Sequence, residues 1–133
     1  MSSLSDANTA TVFAFMDAMA ARDLDAMKRH LVDEPVWRVF HSEHRGMAGV
    51  EWILNAASNL YRSETLEREI QAVVADDDRV VVQSILRGQT AAGDDYENYY
   101  VFIAEMTDGR IAVIWEYLNT AYANEKFAGL ARD

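Results

Sequence analysis

The sequence predicts an α+β fold, a cone-shaped roll in which N-terminal helices pack on a curved antiparallel sheet. In the first half of the chain, apolar residues recur every three or four positions, which is the period of an amphipathic helix. The second half changes to long runs rich in Val, Ile, Tyr and Phe, separated by short turns, which is typical of an antiparallel meander. No linker, repeat or low-complexity stretch interrupts residues 1–133, so we expect one domain.

Three helices are expected in the first half. The first covers about residues 7–21, where Val12, Phe15, Met16 and Met19 share one face. Polar residues just before or at its start are candidate N-caps, namely Ser5, Asp6 and Asn8. A short second helix should begin after Asp23 and end near Val32, before Pro35, which cannot continue a helix. The third is predicted over residues 47–61.

A short strand is expected at residues 36–40, followed by a polar loop over 41–46. Four longer strands are expected in the second half, at residues 65–75, 79–89, 95–106 and 110–120. The pair Asp108-Gly109 is a strong hairpin signal, because both residues tolerate positive φ. The tail, residues 121–130, is predicted to add a short helix.

The chain is acidic and lacks cysteine. Lys and Arg number 12, Asp and Glu number 22, the formal net charge is −10, and there is no Cys. Because an acidic surface repels phosphate groups, we expect neither nucleic acid nor anionic membrane as a partner. Disulfides and thiolate-based zinc sites are excluded. Residues 1–8 lack a leader pattern, and no apolar run approaches the ~20 residues that span a bilayer, so we expect a cytoplasmic protein.

The last predicted strand is apolar on both faces. One face carries Ala112, Ile114, Glu116 and Leu118, and the other carries Ile111, Val113, Trp115, Tyr117 and Asn119. If the first face lines the interior, the second would leave a large apolar patch exposed on a monomer. We therefore expect a homodimer formed through the outer face of the sheet.

Glu116 is the residue that stands out, because it is charged and shares a face with Ile114 and Leu118. An apolar setting raises the pKa of a carboxyl group and makes it a proton donor or acceptor near neutral pH. Alternatively, Glu116 pairs with an arginine such as Arg87, or it reaches solvent at the rim of the cone. On the preceding strand, Asn98 and Tyr100 could donate hydrogen bonds to a ligand or to Glu116, although tyrosine is also simply a good strand residue.

His41 and His44 form an H-x-x-H pair beside Glu43. This spacing can bind zinc, but the loop offers no clear further ligand, so we predict solvated histidines and no metal site. The sequence also contains no glycine-rich phosphate loop, Walker pattern or nucleophile elbow, and we expect no cofactor.

Three segments carry a family resemblance. They are Tyr96-Glu97-Asn98-Tyr99-Tyr100, Asp108-Gly109-Arg110-Ile111 and Glu116-Tyr117-Leu118-Asn119-Thr120. They resemble the patterns Y-x-N-x-Y, D-G-K/R-I and E-Y-x-D-T of the SnoaL-like, ketosteroid-isomerase-related branch of the nuclear-transport-factor-2-like superfamily, with Asn119 in place of the usual Asp. The order of predicted elements is similar over nearly the whole chain. The resemblance implies a pocket inside the cone, with Glu116 in it.

The residues expected to line this pocket with Glu116 are Trp37, Val39, Trp52, Asn98, Tyr100, Ile114 and Leu118. Taken singly, Trp37 and Trp52 are typical core residues, and if they fill the pocket no ligand can enter it. The ligand is expected to be a small apolar molecule.

The resemblance covers several activities, among them isomerases, polyketide cyclases, epoxide hydrolases, dehydratases and non-catalytic proteins. In limonene-epoxide-hydrolase-like relatives an Asp-Arg-Asp arrangement activates water; Glu116 matches its last acid, but Val82 and Ser84 stand at the other two positions. The Tyr and Asn that help to hold that water are Trp37 and Val39 here. Epoxide hydrolysis is therefore not expected. We expect isomerase-like or cyclase-like proton transfer by Glu116, or else a non-catalytic ligand-binding or dimeric accessory domain.

Overall fold

A computed structural model of the protein describes residues 3–130 as an α+β fold, as predicted. The helices are α1 (Ser3–Ala20), α2 (Leu24–Arg29), α3 (Gly46–Leu60) and α4 (Thr120–Lys126), with a 3-10 turn at Ser63–Thr65. The strands are β1 (Leu31–Val39), β2 (Ser42–Arg45), β3 (Glu67–Asp76), β4 (Arg79–Gln89), β5 (Asp95–Thr107) and β6 (Arg110–Leu118). Within the described range, none of the helices combines the length and apolar character needed to cross a membrane.

The strands form one curved sheet in the order β2-β1-β6-β5-β4-β3. Strands β3 to β6 make the predicted antiparallel meander. The predicted antiparallel sheet is corrected in one respect: it is mixed, because β1 pairs in parallel with β6 and carries β2 on its other edge. Parallel neighbours require a long connection, and here residues 40–109 provide it. This pairing has no local sequence signal, because it joins distant parts of the chain.

Helix α1 begins earlier than the predicted residue 7, at Ser3, so the candidate N-caps lie inside the helix. Asn8 has a different role. It is 2% exposed, and its Nδ2 donates to the carbonyl oxygen of Asp77 at 3.1 Å. Asp77 has φ +50° in the tight turn between β3 and β4. The amide of Asn8 therefore attaches α1 to that turn.

Two predictions around β1 are wrong. Helix α2 ends at Arg29 and not near Val32. Strand β1 begins at Leu31, which pairs with Ile111, and not at the predicted residue 36. The strand passes through Pro35, which donates no backbone hydrogen bond, and its pairing with β6 is irregular between Leu31 and Val36. Residues 41–46, predicted as a loop, include β2, because Phe40 adopts φ +54° and turns the chain back onto β1. Helix α3 and strands β3 to β6 are confirmed to within about two residues, and the tail helix α4 ends at Lys126, four residues before its predicted end.

The inner face of the sheet packs against α1 and α3. Its most buried large side chains include Trp37 at 1% exposure and Ile114 at 4%, whereas Tyr117 on the outer face is 37% exposed. Phe15 of α1 reaches Trp37 with a ring-centroid distance of 5.9 Å. The predicted division of β6 into an inner and an outer face holds from Val113 to Leu118 and is wrong at Ile111. That residue was expected on the outer face, but it is 1% exposed in the core, because the pairing of β5 with β6 is irregular between Glu105 and Met106.

Gly49 marks a close approach between α3 and β2. A Cβ at this position would lie 2.5 Å from the backbone carbon of His44 and 2.9 Å from its oxygen. We therefore expect Gly49→Ala to lower the free energy of unfolding by about 1–3 kcal/mol, because the backbone of β2 must shift to relieve the overlap. Ala48, exposed in the same helix, is the control: Ala48→Ser should change that free energy by less than about 0.5 kcal/mol. Urea denaturation measures both, and a Gly49→Ala protein as stable as the wild type would contradict this packing.

Candidate functional site

The inner face of the sheet encloses two adjacent cavities. The smaller, about 150 Å³, lies among α1, α3 and the middle of the meander; the larger, about 280 Å³, lies among β1, β2, α3 and α4. Five residues line both: Ile53, Ala57, Tyr61, Tyr100 and Glu116. Glu116, Tyr61 and Tyr100 therefore lie where the cavities meet.

Glu116 occupies the middle of β6, where it pairs with Phe102 of β5 and Val39 of β1. Its side chain is half-buried, and the surface it exposes belongs to the cavities. Trp37 Nε1 donates to Glu116 Oε1 at 2.9 Å. Burial raises the pKa of Glu116 above its ordinary value, and the indole hydrogen bond and the charge of Arg68 oppose that rise in part. The carboxyl group is thus both oriented and chemically accessible.

The cation near Glu116 is Arg68, and the predicted alternative of Arg87 is wrong. Arg87 lies on the outer face, where it pairs with Glu69 at 2.7 Å and Glu97 at 2.5 Å. Arg68 comes from β3, and its Nη1 donates to Ser84 Oγ at 2.8 Å. Its guanidinium carbon lies 5.4 Å from the ring centroid of Tyr100.

Sequence reasoning missed Arg68 because the first half of β3 is mostly polar and its pairing shifts between Ile70 and Ala72, which obscures the alternation. The available signal was an arginine between two glutamates, opposite the apolar Leu86 on β4.

Three tyrosines form a chain of hydrogen bonds that leads to the cavities. The hydroxyl oxygens of Tyr96 and Tyr100 are 2.8 Å apart, and those of Tyr100 and Tyr61 are 2.6 Å apart. Asn98 Nδ2 donates to the Tyr96 hydroxyl at 2.8 Å. The orientation of the Asn98 amide is determined by backbone partners, because its Oδ1 accepts from Tyr99 N–H and its Nδ2 also donates to Asn119 O.

That orientation gives the chain a direction. Each tyrosine has one proton to donate. Because the Tyr96 hydroxyl group already accepts from Asn98, its own proton can go to Tyr100. Tyr100 then donates to Tyr61, and both buried protons have an acceptor. The proton of Tyr61 would then be available to the Tyr96 hydroxyl group or to a ligand in the cavities. Burial raises the pKa values of Tyr61 and Tyr100 well above the ordinary one, so both are neutral donors near neutral pH. Tyr61 follows α3 in an isolated bridge with Thr90, and no pattern in the sequence singled it out.

Five of the seven residues predicted to line the pocket with Glu116 lie in a cavity wall, and two do not. Trp37 lines the smaller cavity, Tyr100 lines both, and Val39, Trp52 and Leu118 line the larger. Asn98, at 1% exposure, and Ile114 do not belong to the lining of either cavity within the described chain. Asn98 instead orients the Tyr96 hydroxyl group, because its side-chain amide is held by hydrogen bonds to Tyr96 and to the backbone of Tyr99 and Asn119. Trp52 is 44% exposed and stacks on His44 with ring centroids 4.5 Å apart, so it is not a core residue and does not fill the pocket.

The histidine pair shows no arrangement for a metal. His41 is exposed, and His44 lies against Trp52. Among residues 3–130, no three His, Asp or Glu side chains come together as a metal site would need.

Solved structures of other proteins share this fold. A SnoaL-like polyketide cyclase candidate from Jannaschia sp. CCS1 superposes with a TM-score of 0.86 at 16% identity, covering 97% of this chain and 96% of its own. An isomerase candidate from Bacillus subtilis gives 0.80 at 19% identity, covering 96% and 97%. A limonene-epoxide-hydrolase-like epoxide hydrolase from M. tuberculosis gives 0.74 at 19% identity, covering 92% and 90%.

At these identities the structures demonstrate a shared fold, and they are not evidence of a shared activity. Among curated proteins, none matches the sequence significantly. The family model of the SnoaL-like domain matches residues 12–114. The predicted nuclear-transport-factor-2-like superfamily is thereby confirmed. This chain belongs to the SnoaL-like domain family.

Proposed function

We propose that the protein binds a small, largely apolar ligand in the two cavities and transfers a proton on it, in an isomerase-like or cyclase-like reaction. The observation that carries the proposal is Glu116, a half-buried carboxyl group of raised pKa at the junction of two cavities. Its neighbours in the cavity wall include the hydroxyl groups of Tyr61 and Tyr100. A base and a hydrogen-bond donor thus face the same space.

The reaction would begin at a carbon next to a carbonyl group. The Glu116 carboxylate takes a proton from that carbon, the C–H electron pair forms a C=C bond, and the carbonyl electrons move to oxygen. Tyr61, at the end of the tyrosine chain, donates a hydrogen bond to that oxygen as its charge grows. The Glu116 carboxylic acid then returns the proton to the same or another carbon. Trp37 keeps the carboxylate in position through its indole N–H.

Exchange of hydrogen for deuterium tests proton abstraction without knowledge of the natural substrate. Small ketones and keto acids would be incubated with the protein in D₂O and followed by NMR, with the buffer alone as the reference. Because only the ionised carboxylate acts as a base, the exchange rate should rise with pH through the pKa of Glu116. That pKa lies above its ordinary value, so the midpoint should lie above the ~4.3 of a free glutamate. A rate that does not change between acidic and neutral pH would contradict a role for Glu116 as the base.

A non-catalytic ligand-binding domain is the second candidate. In the cavity lining of the described chain, Glu116 is the only carboxylate and His44, in the wall of the larger cavity, is the only imidazole. Under this alternative Glu116 recognises a polar group of the ligand. Ligand binding without any deuterium exchange would favour it over the enzyme.

Epoxide hydrolysis is supported less well. Val82 and Ser84, the residues at the two matching positions, supply no carboxylate, and Ser84 is used as the acceptor of the Arg68 hydrogen bond. Arg68 supplies a guanidinium group near Glu116, but neither matching position supplies the other carboxylate of the Asp-Arg-Asp arrangement.

We also propose that two copies associate through the outer face of the sheet. Large apolar side chains are exposed on the sheet, including Val74 at 63%, Tyr99 at 58% and Tyr117 at 37%. Burying them against a second copy would remove this apolar surface from water. We expect a dimer by light scattering at micromolar concentration and a shift to monomer in Tyr99→Asp; a wild-type monomer under those conditions would exclude the association.

A further inference from the structure

The two cavities differ in charge. The smaller is lined by Arg22 and Arg68 together with Glu116, whereas Glu116 and His44 are the titratable groups, tyrosines apart, in the lining of the larger. The chain as a whole carries a net charge of −10. Two guanidinium groups against one carboxylate make the smaller cavity a local region of positive charge in an acidic protein.

Arg68 has hydrogen-bond donors that residues 3–130 leave unused. A guanidinium group carries five N–H donors. Among the described residues, the hydrogen bond of this side chain runs from Nη1 to Ser84 Oγ, a neutral acceptor. The rings of Tyr100 and Phe102 lie against the group, with centroids 5.4 and 5.1 Å from its carbon. In the part of the chain that the structure describes, no ion pair joins Arg68 to Glu116 or to another carboxylate.

Arg22 also has neutral partners. Its Nε donates to Ser63 Oγ at 3.0 Å and its Nη1 to the carbonyl oxygen of Leu54 at 3.1 Å. Burial lowers the pKa values of Arg22 and Arg68 from the ordinary one, which reflects the free energy required to hold each charge away from water. A ligand anion would offset that free energy through charge-assisted hydrogen bonds.

We propose that the smaller cavity binds a carboxylate group of the ligand, with Arg68 as its main anchor and Arg22 as the second cation. The lining of the larger cavity is mostly apolar, including Leu60, Leu118 and Phe127, and it takes the body of the ligand. The ligand class is therefore a small carboxylic acid with an apolar body, whose middle lies beside Glu116. This inference rests on the proposed function and narrows its ligand from apolar to amphipathic.

Hexanoate and its methyl ester test the anion site, because they share an apolar chain and differ in charge. We expect the wild-type protein to bind hexanoate at least about 10-fold more tightly than methyl hexanoate at neutral pH, measured by protein-observed NMR titration. Arg68→Gln should reduce that preference to about 2-fold or less while leaving the affinity for the ester unchanged. Arg68→Lys should retain part of the preference, because it keeps the charge and loses the planar fork.

Arg87→Gln is the matched control, because Arg87 lies on the outer face with Glu69 and Glu97 as partners. It should keep the full preference for hexanoate. Equal affinities for acid and ester in the wild type would overturn the anion site and leave the ligand pocket standing. Absence of binding for both at about 10 mM, with the protein folded, would overturn the pocket as well. The wild-type comparison decides between these results even if Arg68→Gln does not fold.

Discussion

Glu116→Gln should abolish most of the deuterium exchange, with a fall in rate of about 10²- to 10⁴-fold, the range that a positioned general base contributes. The amide has nearly the shape of the carboxylate, and its oxygen can still accept from Trp37 Nε1, so the cavity walls should stay in place. Because the site raises the pKa of Glu116, it disfavours the ionised form. Removing that charge should therefore leave the melting temperature equal to the wild-type value or higher.

Glu105→Gln is a closely matched control. Glu105 also accepts a hydrogen bond from an indole N–H, that of Trp115, but it lies on the outer face and interacts with Arg79 at 3.7 Å. Its substitution should leave the exchange rate unchanged. Undiminished exchange in Glu116→Gln would remove the carboxylate from the proposed reaction, and equal losses in the two variants would point to a general loss of structure.

Trp37→Ala should lower the free energy of unfolding by about 3–5 kcal/mol, as deletion of a fully buried large aromatic side chain does. Trp37 is 1% exposed, contacts Phe15 and donates to Glu116. Its loss would enlarge the smaller cavity and leave the carboxyl group without its indole donor. Urea denaturation gives the change in stability.

Trp52→Ala provides the comparison on α3. Trp52 is 44% exposed, so its removal should lower the free energy of unfolding by less than about 1 kcal/mol. Trp37→Phe separates packing from hydrogen bonding, because it keeps a ring and loses the N–H. In that variant the pKa of Glu116 should rise further, and the midpoint of the exchange profile should move to higher pH. Similar stability of Trp37→Ala and Trp52→Ala would contradict the burial of Trp37.

Local periodicity was enough to predict most of the fold. Alternation along β6 placed Glu116 on the inner face, and helical spacing identified α3, because both patterns depend only on neighbouring residues. The parallel contact of β1 with β6 could not be predicted in this way, since it depends on how distant segments meet. Leu31 was assigned to a helix for the same reason: its partner, Ile111, is 80 positions away (111 − 31).

The candidate site was predictable only in part. Glu116, Tyr100 and the apolar lining came from alternation and family resemblance. Arg68 could not be found by those means, because the first half of β3 is mostly polar and its pairing is irregular. Tyr61 follows the last turn of α3, where helical spacing gives no reason to assign one aromatic residue to the cavities. Asn98 was expected at the ligand, but its amide is taken up by Tyr96 and by the backbone of Tyr99 and Asn119. Such assignments depend on three-dimensional hydrogen-bond geometry.

The parallel pairing of β1 with β6 has a consequence for how the protein folds during synthesis. Trp37 and Glu116 are 79 residues apart in the chain, yet they share a hydrogen bond. Contacts of such long sequence separation form slowly, because a large loop must close first. Helices α1 and α3 leave the ribosome long before β6, so their apolar faces must wait for the last strand of the sheet. A chain halted before β6 would hold an unpaired β1 and exposed apolar surface, both of which favour aggregation.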